Sequence, residues 1–115
     1  MSDPTVIVLT GAIVRAGMEK QEAALAEQMD ANMRTAPGFI SSKDYVAEDG
    51  EEITVIRFAT DADLIRWRDE GLHGSYHDEV GRYYESFWVQ TAEVRREYVF
   101  RDGDRTDGDL AWMFR

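Results

Sequence analysis

The chain contains no cysteine. That excludes a disulfide framework, a thiolate nucleophile and a cysteine-ligated zinc site. It is also short of positive charge: 13 Lys and Arg stand against 23 Asp and Glu, for a net charge of −10 at pH 7. A phosphate-binding face needs clustered cations, and here they are scattered along the chain, so nucleic acid is not an expected partner. The same charge opposes docking on anionic lipid. Long apolar runs are missing too. The longest is Leu110 to Phe114, far short of the roughly 20 residues a membrane-spanning helix needs. The opening Met1-Ser2-Asp3-Pro4 has neither the basic residues nor the apolar stretch of a secretory signal, so a cytoplasmic location is expected.

What remains describes an ordinary globular domain. Of 115 residues, 43% are hydrophobic and 31% charged, which is enough apolar material for one core and unlike a disordered chain. A chain of this size buries only about two-thirds of its unfolded surface, so further burial in an oligomer would add stability.

Apolar periodicity divides the chain into elements. Thr5 to Val14 is rich in Val, Ile and Thr and reads as a strand. Met18 to Thr35 reads as a helix, with Met18, Leu25, Met29 and Met33 on one stripe. Glu22 and Asn32 share that stripe; each lies near a helix end, where a polar tip can turn to water. Ala36-Pro37-Gly38 ends the helix. Phe39 to Ala47 and Glu52 to Phe58 form a hairpin about Glu48-Asp49-Gly50-Glu51. Thr60 caps a second helix through Glu70, Ser75 caps a short third helix through Tyr84, and Phe87 to Phe100 is a long last strand.

This order predicts an α+β, ferredoxin-like (split βαβ) domain: a four-stranded antiparallel sheet with its helices on one face. The strands, however, are apolar on both faces. Val6 and Val8 oppose Ile7 and Leu9, Ile53 and Val55 oppose Ile56 and Phe58, and Phe87 and Val89 oppose Trp88 and Ala92. Helices cover one face only, and the other would be a larger exposed patch than monomers carry. A homodimer joined through the second face is the expected remedy. Residues 1–100 are expected to form the domain and 101–115 a tail, a solvated turn followed by the apolar cluster Leu110 to Phe114, which needs cover.

Several residues have types suited to chemistry. His77 titrates near neutrality and suits a base or a ligand. On a helix from Ser75 it would share a face with Val80, Gly81 and Tyr84, where Gly81 leaves room; a surface histidine beside Asp78 and Glu79 is the alternative. His73 and His77 are four apart, but Gly74 and the Ser75 cap separate them, and no metal site is expected. Tyr76, Tyr83 and Tyr84 lie in an aromatic stretch that would wall a pocket for a planar molecule or simply pack. Arg82 would hold a substrate oxygen or lie in solvent. Asn32 and Glu22 are alternatively placed to reach a cleft between helix and sheet. Trp67 pairs with Leu64 at i and i+3 and packs the second helix onto the sheet.

Ala36-Pro37-Gly38-Phe39, Ile56-Arg57-Phe58-Ala59-Thr60 leading into Leu64-Ile65-Arg66-Trp67, and His77-Asp78-Glu79-Val80-Gly81-Arg82-Tyr83-Tyr84 resemble the antibiotic-biosynthesis-monooxygenase family. The resemblance spans about Val6 to Phe100. It implies two ferredoxin-like chains paired as a dimeric α/β barrel. It also implies a cofactor-independent monooxygenase acting on a small electron-rich aromatic substrate such as a phenol, anthrone or quinol. On that reading His77 is the base, Arg82 or a tyrosine holds the oxygen, and Trp67 shapes the pocket. Heme-degrading relatives imply an alternative, with heme as cofactor and His77 as its axial ligand, Trp67 and His77 being ten apart as such relatives have them. Those relatives also carry an asparagine on the first strand. Here that strand has none, and Thr10 is the nearest polar residue. A non-catalytic dimeric module binding a small ligand is the third possibility.

Overall fold

The strands and helices stop where local chemistry makes them stop. In the computed structural model, which describes residues 3–70, 79–101 and 104–105, β1 (Val6–Val14) ends at Arg15-Ala16-Gly17 and α1 (Glu19–Arg34) follows. The Glu19 carboxylate accepts a hydrogen bond from the Gly17 backbone N–H at 2.9 Å and so fixes the entry to the helix. Past the C-terminus of α1, Gly38 turns the chain with φ 83°, a conformation that L side chains rarely adopt. The Asp63 side chain occupies the space a Cβ at Gly38 would fill, so glycine is required there twice over.

The hairpin of β2 (Phe39–Val46) and β3 (Glu52–Phe58) is as expected, closed by the Ala47 N–H donating to the Glu51 carbonyl at 2.8 Å. Thr60 does cap α2 (Asp61–Glu70). Its hydroxyl oxygen accepts from the Asp63 N–H at 3.1 Å and its hydroxyl donates back to the Asp63 carboxylate at 2.9 Å.

The last third departs from the sequence-based boundaries. The short helix α3 covers Val80–Tyr83, and Tyr84 is already extended, opening β4 (Tyr84–Glu93). Tyr84 therefore does not share a helical face with Val80 and Gly81, and the last strand both starts and ends earlier than expected. Within the expected tail, β5 (Phe100–Arg101) pairs with β6 (Asp104–Arg105), where a solvated turn was predicted. The apolar cluster Leu110 to Phe114 lies outside the described residues.

The main sheet has the strand order β2-β3-β1-β4, antiparallel throughout, which is the ferredoxin-like arrangement. Register decides which side chains share a face. Val6, Val8, Thr10 and Ala12 of β1 stand opposite Phe58, Ile56, Thr54 and Glu52 of β3 and point toward the helices. The core lies on that side: Val8, Met33, Ile56 and Phe58 are buried together, with Phe39, Leu64 and Trp67 packed around them. Phe58 is fully buried, meeting Phe39 edge-on at 6.0 Å and Trp67 at 5.9 Å between ring centres. The intervening residues, Ile7, Leu9, Ile53 and Val55, make up the other face and are half-buried. Trp88 lies on it directly over Gly11, where its indole fills the space a side chain would take. The Trp88 N–H donates to the Glu51 carboxylate at 2.8 Å.

Candidate functional site

Between α1 and the helix-facing side of the sheet is a cleft of about 560 Å³. That is the size of pocket that takes a small organic molecule. Its floor is apolar, built from Val8 and Ala12 of β1, Ile56 of β3, and Phe87 and Val89 of β4. Ala23, Ala26, Met29 and Met33 of α1 close it from above. The small alanines explain why helix and sheet stand apart here: a helix face of larger residues would fill the gap. Met33, deeper in, is buried and marks where the gap closes.

Polar groups ring the apolar floor. Glu22, Glu27 and Asp30 come from α1, Asp44 from β2 and Glu52 from β3. Thr10, Ser42, Tyr45 and Thr54 add hydroxyls from the sheet, and Val46, Trp67 and Tyr84 complete the lining. The Tyr84 hydroxyl donates to the Glu22 carboxylate at 2.7 Å, joining residues 62 apart in sequence. Tyr84 also rests against Phe87, with ring centres 5.2 Å apart. The Thr54 hydroxyl donates to Asp44 at 2.8 Å, and the Trp67 indole N–H donates to the Asn32 side-chain oxygen at 3.1 Å. Partial burial pushes the Glu52 carboxyl above its ordinary range, and the nearby charges of Glu22 and Asp44 push it the same way.

A β-bulge aims Tyr84 into the cleft. Strict alternation along β4 would put Tyr84 on the same face as Ser86 and Trp88, away from α1. Instead the pairing with β1 shifts between Ile13 and Val14: Ile13 stands opposite Ser86, but Val14 stands opposite Tyr84. The extra residue, Glu85, turns Tyr84 to the helix side, where it meets Glu22.

The residues singled out from the sequence distribute unevenly. Thr10, Trp67 and Tyr84 line the cleft. Asn32 does not. It borders a smaller hollow of about 200 Å³ on the far side of Trp67, together with Pro37 and Arg66, and it holds the indole in place. Neither Asn32 nor Glu22 turns its polar tip simply to water, as their positions near the helix ends suggested; each accepts a hydrogen bond from an aromatic residue distant in sequence. Arg82 stacks over the ring of the adjacent Tyr83 at 5.5 Å, and the described cleft lining includes neither of them. Arg15 ties α3 to the end of β1: its Nε donates to the Gly81 carbonyl at 2.9 Å, and its backbone N–H donates to the Tyr83 carbonyl at 2.8 Å. His77, His73 and Tyr76 lie outside the described residues. Among the described residues no three His, Asp or Glu side chains converge as a metal site would require. No described helix is long and apolar enough to cross a membrane.

Of the cleft carboxylates, Glu22 stood out in the sequence on the sheet-facing stripe of α1; Glu27, Asp30, Asp44 and Glu52 did not. Glu52 and Asp44 lie on strands where either face was open to them, and the distances between elements that bring Glu22, Glu52 and Tyr84 together are tertiary.

No family model matches the chain, and no curated protein is similar to it in sequence. Solved structures do share its fold. A protein of Mycobacterium tuberculosis, Rv0793, superposes with a TM-score of 0.71 at 22% identity over 81% of this chain and 97% of its own. The protein SO0527 of Shewanella oneidensis gives 0.70 at 18% identity over 80% and 92% of the two chains. SnoaB, a cofactor-independent oxygenase from Streptomyces nogalater, gives 0.68 at 11% identity over 82% and 96%. The chain thus has the four-stranded ferredoxin-like fold that its sequence resemblance implied, and shares it with an oxygenase.

Proposed function

We propose that this chain is a small monooxygenase that needs no metal or organic cofactor and oxidises an electron-rich aromatic molecule, a phenol, anthrone or quinol, as a homodimer. The supporting observation is the apolar-floored cleft of about 560 Å³ between α1 and the sheet, bordered by titratable groups, in a fold shared with a cofactor-independent oxygenase. The half-buried Ile7, Leu9, Ile53 and Val55, which no described helix covers, support the dimer.

The chemistry required of such a site is modest. Ground-state oxygen is a triplet and reacts slowly with closed-shell molecules. Loss of a proton from the substrate raises the electron density of its ring, and one electron then passes to oxygen, giving superoxide and a substrate radical. The pair combines through a new C–O bond, and loss of water from the resulting peroxide leaves a carbonyl. The protein contributes a place for the ring, exclusion of bulk water and a proton acceptor. His77 is proposed as that acceptor. Trp67, held by Asn32, is proposed to form one wall, and Tyr84 and Thr10 to orient the substrate.

Oxygen uptake with a panel of phenols, anthrones and quinols in metal-free buffer tests the proposal. Uptake that depends on the protein and falls at least about a hundredfold in His77→Ala, in line with general-base catalysis, supports it. No uptake above the uncatalysed rate with any member of the panel sinks it.

A further inference from the structure

The cleft combines a floor that suits a flat apolar molecule with walls that, among the described residues, carry charge of one sign. Five carboxylates border it, from Glu22, Glu27, Asp30, Asp44 and Glu52, and none of its described lining residues is Lys, Arg or His. Asp30 is paired with Arg34 at 2.7 Å, outside the lining. The other four carboxylates face the cavity from three elements, α1, β2 and β3. Three of the donors in its lining are already engaged. The hydroxyls of Tyr84 and Thr54 and the indole N–H of Trp67 each donate to an acceptor of the protein itself. A tyrosine or threonine hydroxyl so engaged presents lone pairs to a guest. A molecule entering this cleft therefore meets negative charge on several sides, with the hydroxyls of Thr10, Ser42 and Tyr45 as the other polar groups of the lining.

A bare phenolate or carboxylate is badly matched to such a site. Each carboxylate within reach raises its energy, Glu22 most of all because it is half-buried while Glu27, Asp44 and Glu52 are exposed. A guest bearing its own positive charge reverses the sign of every one of these interactions. We propose that the natural substrate is an electron-rich aromatic carrying a protonated amine, with the ammonium held between Glu22 on α1 and Glu52 on β3 and the ring lying on Val8, Ile56 and Val89. This inference rests on the cleft being the substrate site, as the proposed oxygenase function has it. It also removes a difficulty in that function. When the hydroxyl of an ammonium-bearing substrate loses its proton, the bound molecule becomes neutral overall, whereas an unsubstituted phenol becomes an anion among carboxylates.

The test uses the full chain and three ligands of one shape: naphthylmethylamine, naphthalenemethanol and naphthoate, measured by calorimetry at low salt. The amine is expected to bind about tenfold more tightly than the alcohol, a difference of about 1.4 kcal/mol, and the carboxylate most weakly. Rising salt should narrow the gap. Glu52→Gln should cut the preference for the amine severalfold and leave the alcohol unchanged; Glu22→Gln provides a second variant should the first fail to fold. Naphthoate binding as tightly as the amine, a preference unmoved by both variants, or no binding of any of the three would overturn the inference. Oxygen uptake separates it from the oxygenase proposal. Amine-selective binding with no oxygen consumed for any hydroxyarene removes the oxygenase and leaves this inference standing. Faster uptake with carboxylated than with aminomethylated hydroxyarenes removes this inference and leaves the oxygenase.

Discussion

The two faces of the sheet are built from the same strands, residue by residue in alternation, yet they hold opposite kinds of surface. On the helix side the apolar residues are sealed in a core around Phe58, and beyond Met33 the packing opens into a cleft rimmed with acids. On the other side Ile7, Leu9, Ile53 and Val55 form an apolar stripe, with Arg57 opposite Ile7, Lys43 opposite Val55, and Trp88 lying over Gly11. The helix side thus divides its work between stability and a binding cavity, because α1 carries bulk at Met33 and alanine farther along. The open side has no such division: it is one apolar surface, and the proposed dimer would use it. A period of two lets one strand encode both surfaces without compromise, since a substitution on one face leaves the other untouched.

Substitutions confined to one face separate these roles. Phe58→Ala should have the largest effect, since it removes a fully buried ring and two aromatic contacts. A loss of about 3–5 kcal/mol of folding stability is expected by urea denaturation. A loss below about 1 kcal/mol would mean that the core is not centred there. Leu9→Lys places a charge mid-strand on the open face and should leave the fold intact by circular dichroism. If that face is the dimer interface, sedimentation should show dissociation, with Kd weakened about a hundredfold for roughly 3 kcal/mol of uncompensated charge. An unchanged mass at micromolar concentration would place any interface elsewhere. Glu52→Gln should have the smallest effect. The folded-state pKa of Glu52 lies above its unfolded value. The fold therefore holds this proton more readily than the unfolded chain does, and the ionised form works against folding above the ordinary carboxylate range. The variant should raise Tm slightly at neutral pH, by less than the roughly 4 °C that 1 kcal/mol brings in a domain of this size, because water screens an exposed carboxylate. That gain should vanish as pH falls below the usual glutamate range. A gain that persists in acid would point to a cause other than charge.

The sequence made the sheet legible for a simple reason. β1 and β3 alternate cleanly between two apolar sets, and the capping pair Thr60 and Asp63 and the turn at Gly38 act through neighbours close in the chain. Helix α1 was placed to within one residue at each end, and the apolar open face was visible in Ile7, Leu9, Ile53 and Val55 before any packing was known. The site was less legible. The helical spacing of Val80, Gly81 and Tyr84 suggested a continuous helix, but the chain becomes extended at Tyr84, where β1 offers it a ladder partner in Val14. Nothing local announces that exchange. The hydrogen bonds of Glu22 with Tyr84 and of Asn32 with Trp67 join residues far apart in sequence, and a polar residue near a helix end looks the same whether its partner is water or a distant ring.

The irregularity at Glu85 has a consequence for how such a protein can change. In a strictly alternating strand, the residues that serve a cavity and those that serve an interface are locked in phase, so one added or lost residue scrambles both. The bulge resets the phase part-way along β4. From Phe87 onward the strand keeps the register that presents Trp88 to the open face. Before Ser86 it runs on its own count and delivers Tyr84 to Glu22. Length changes in the segment entering β4 are thereby absorbed at a single residue. The rim of the cleft can be redrawn, in size or in chemistry, while the surface on the opposite side of the sheet keeps its pattern.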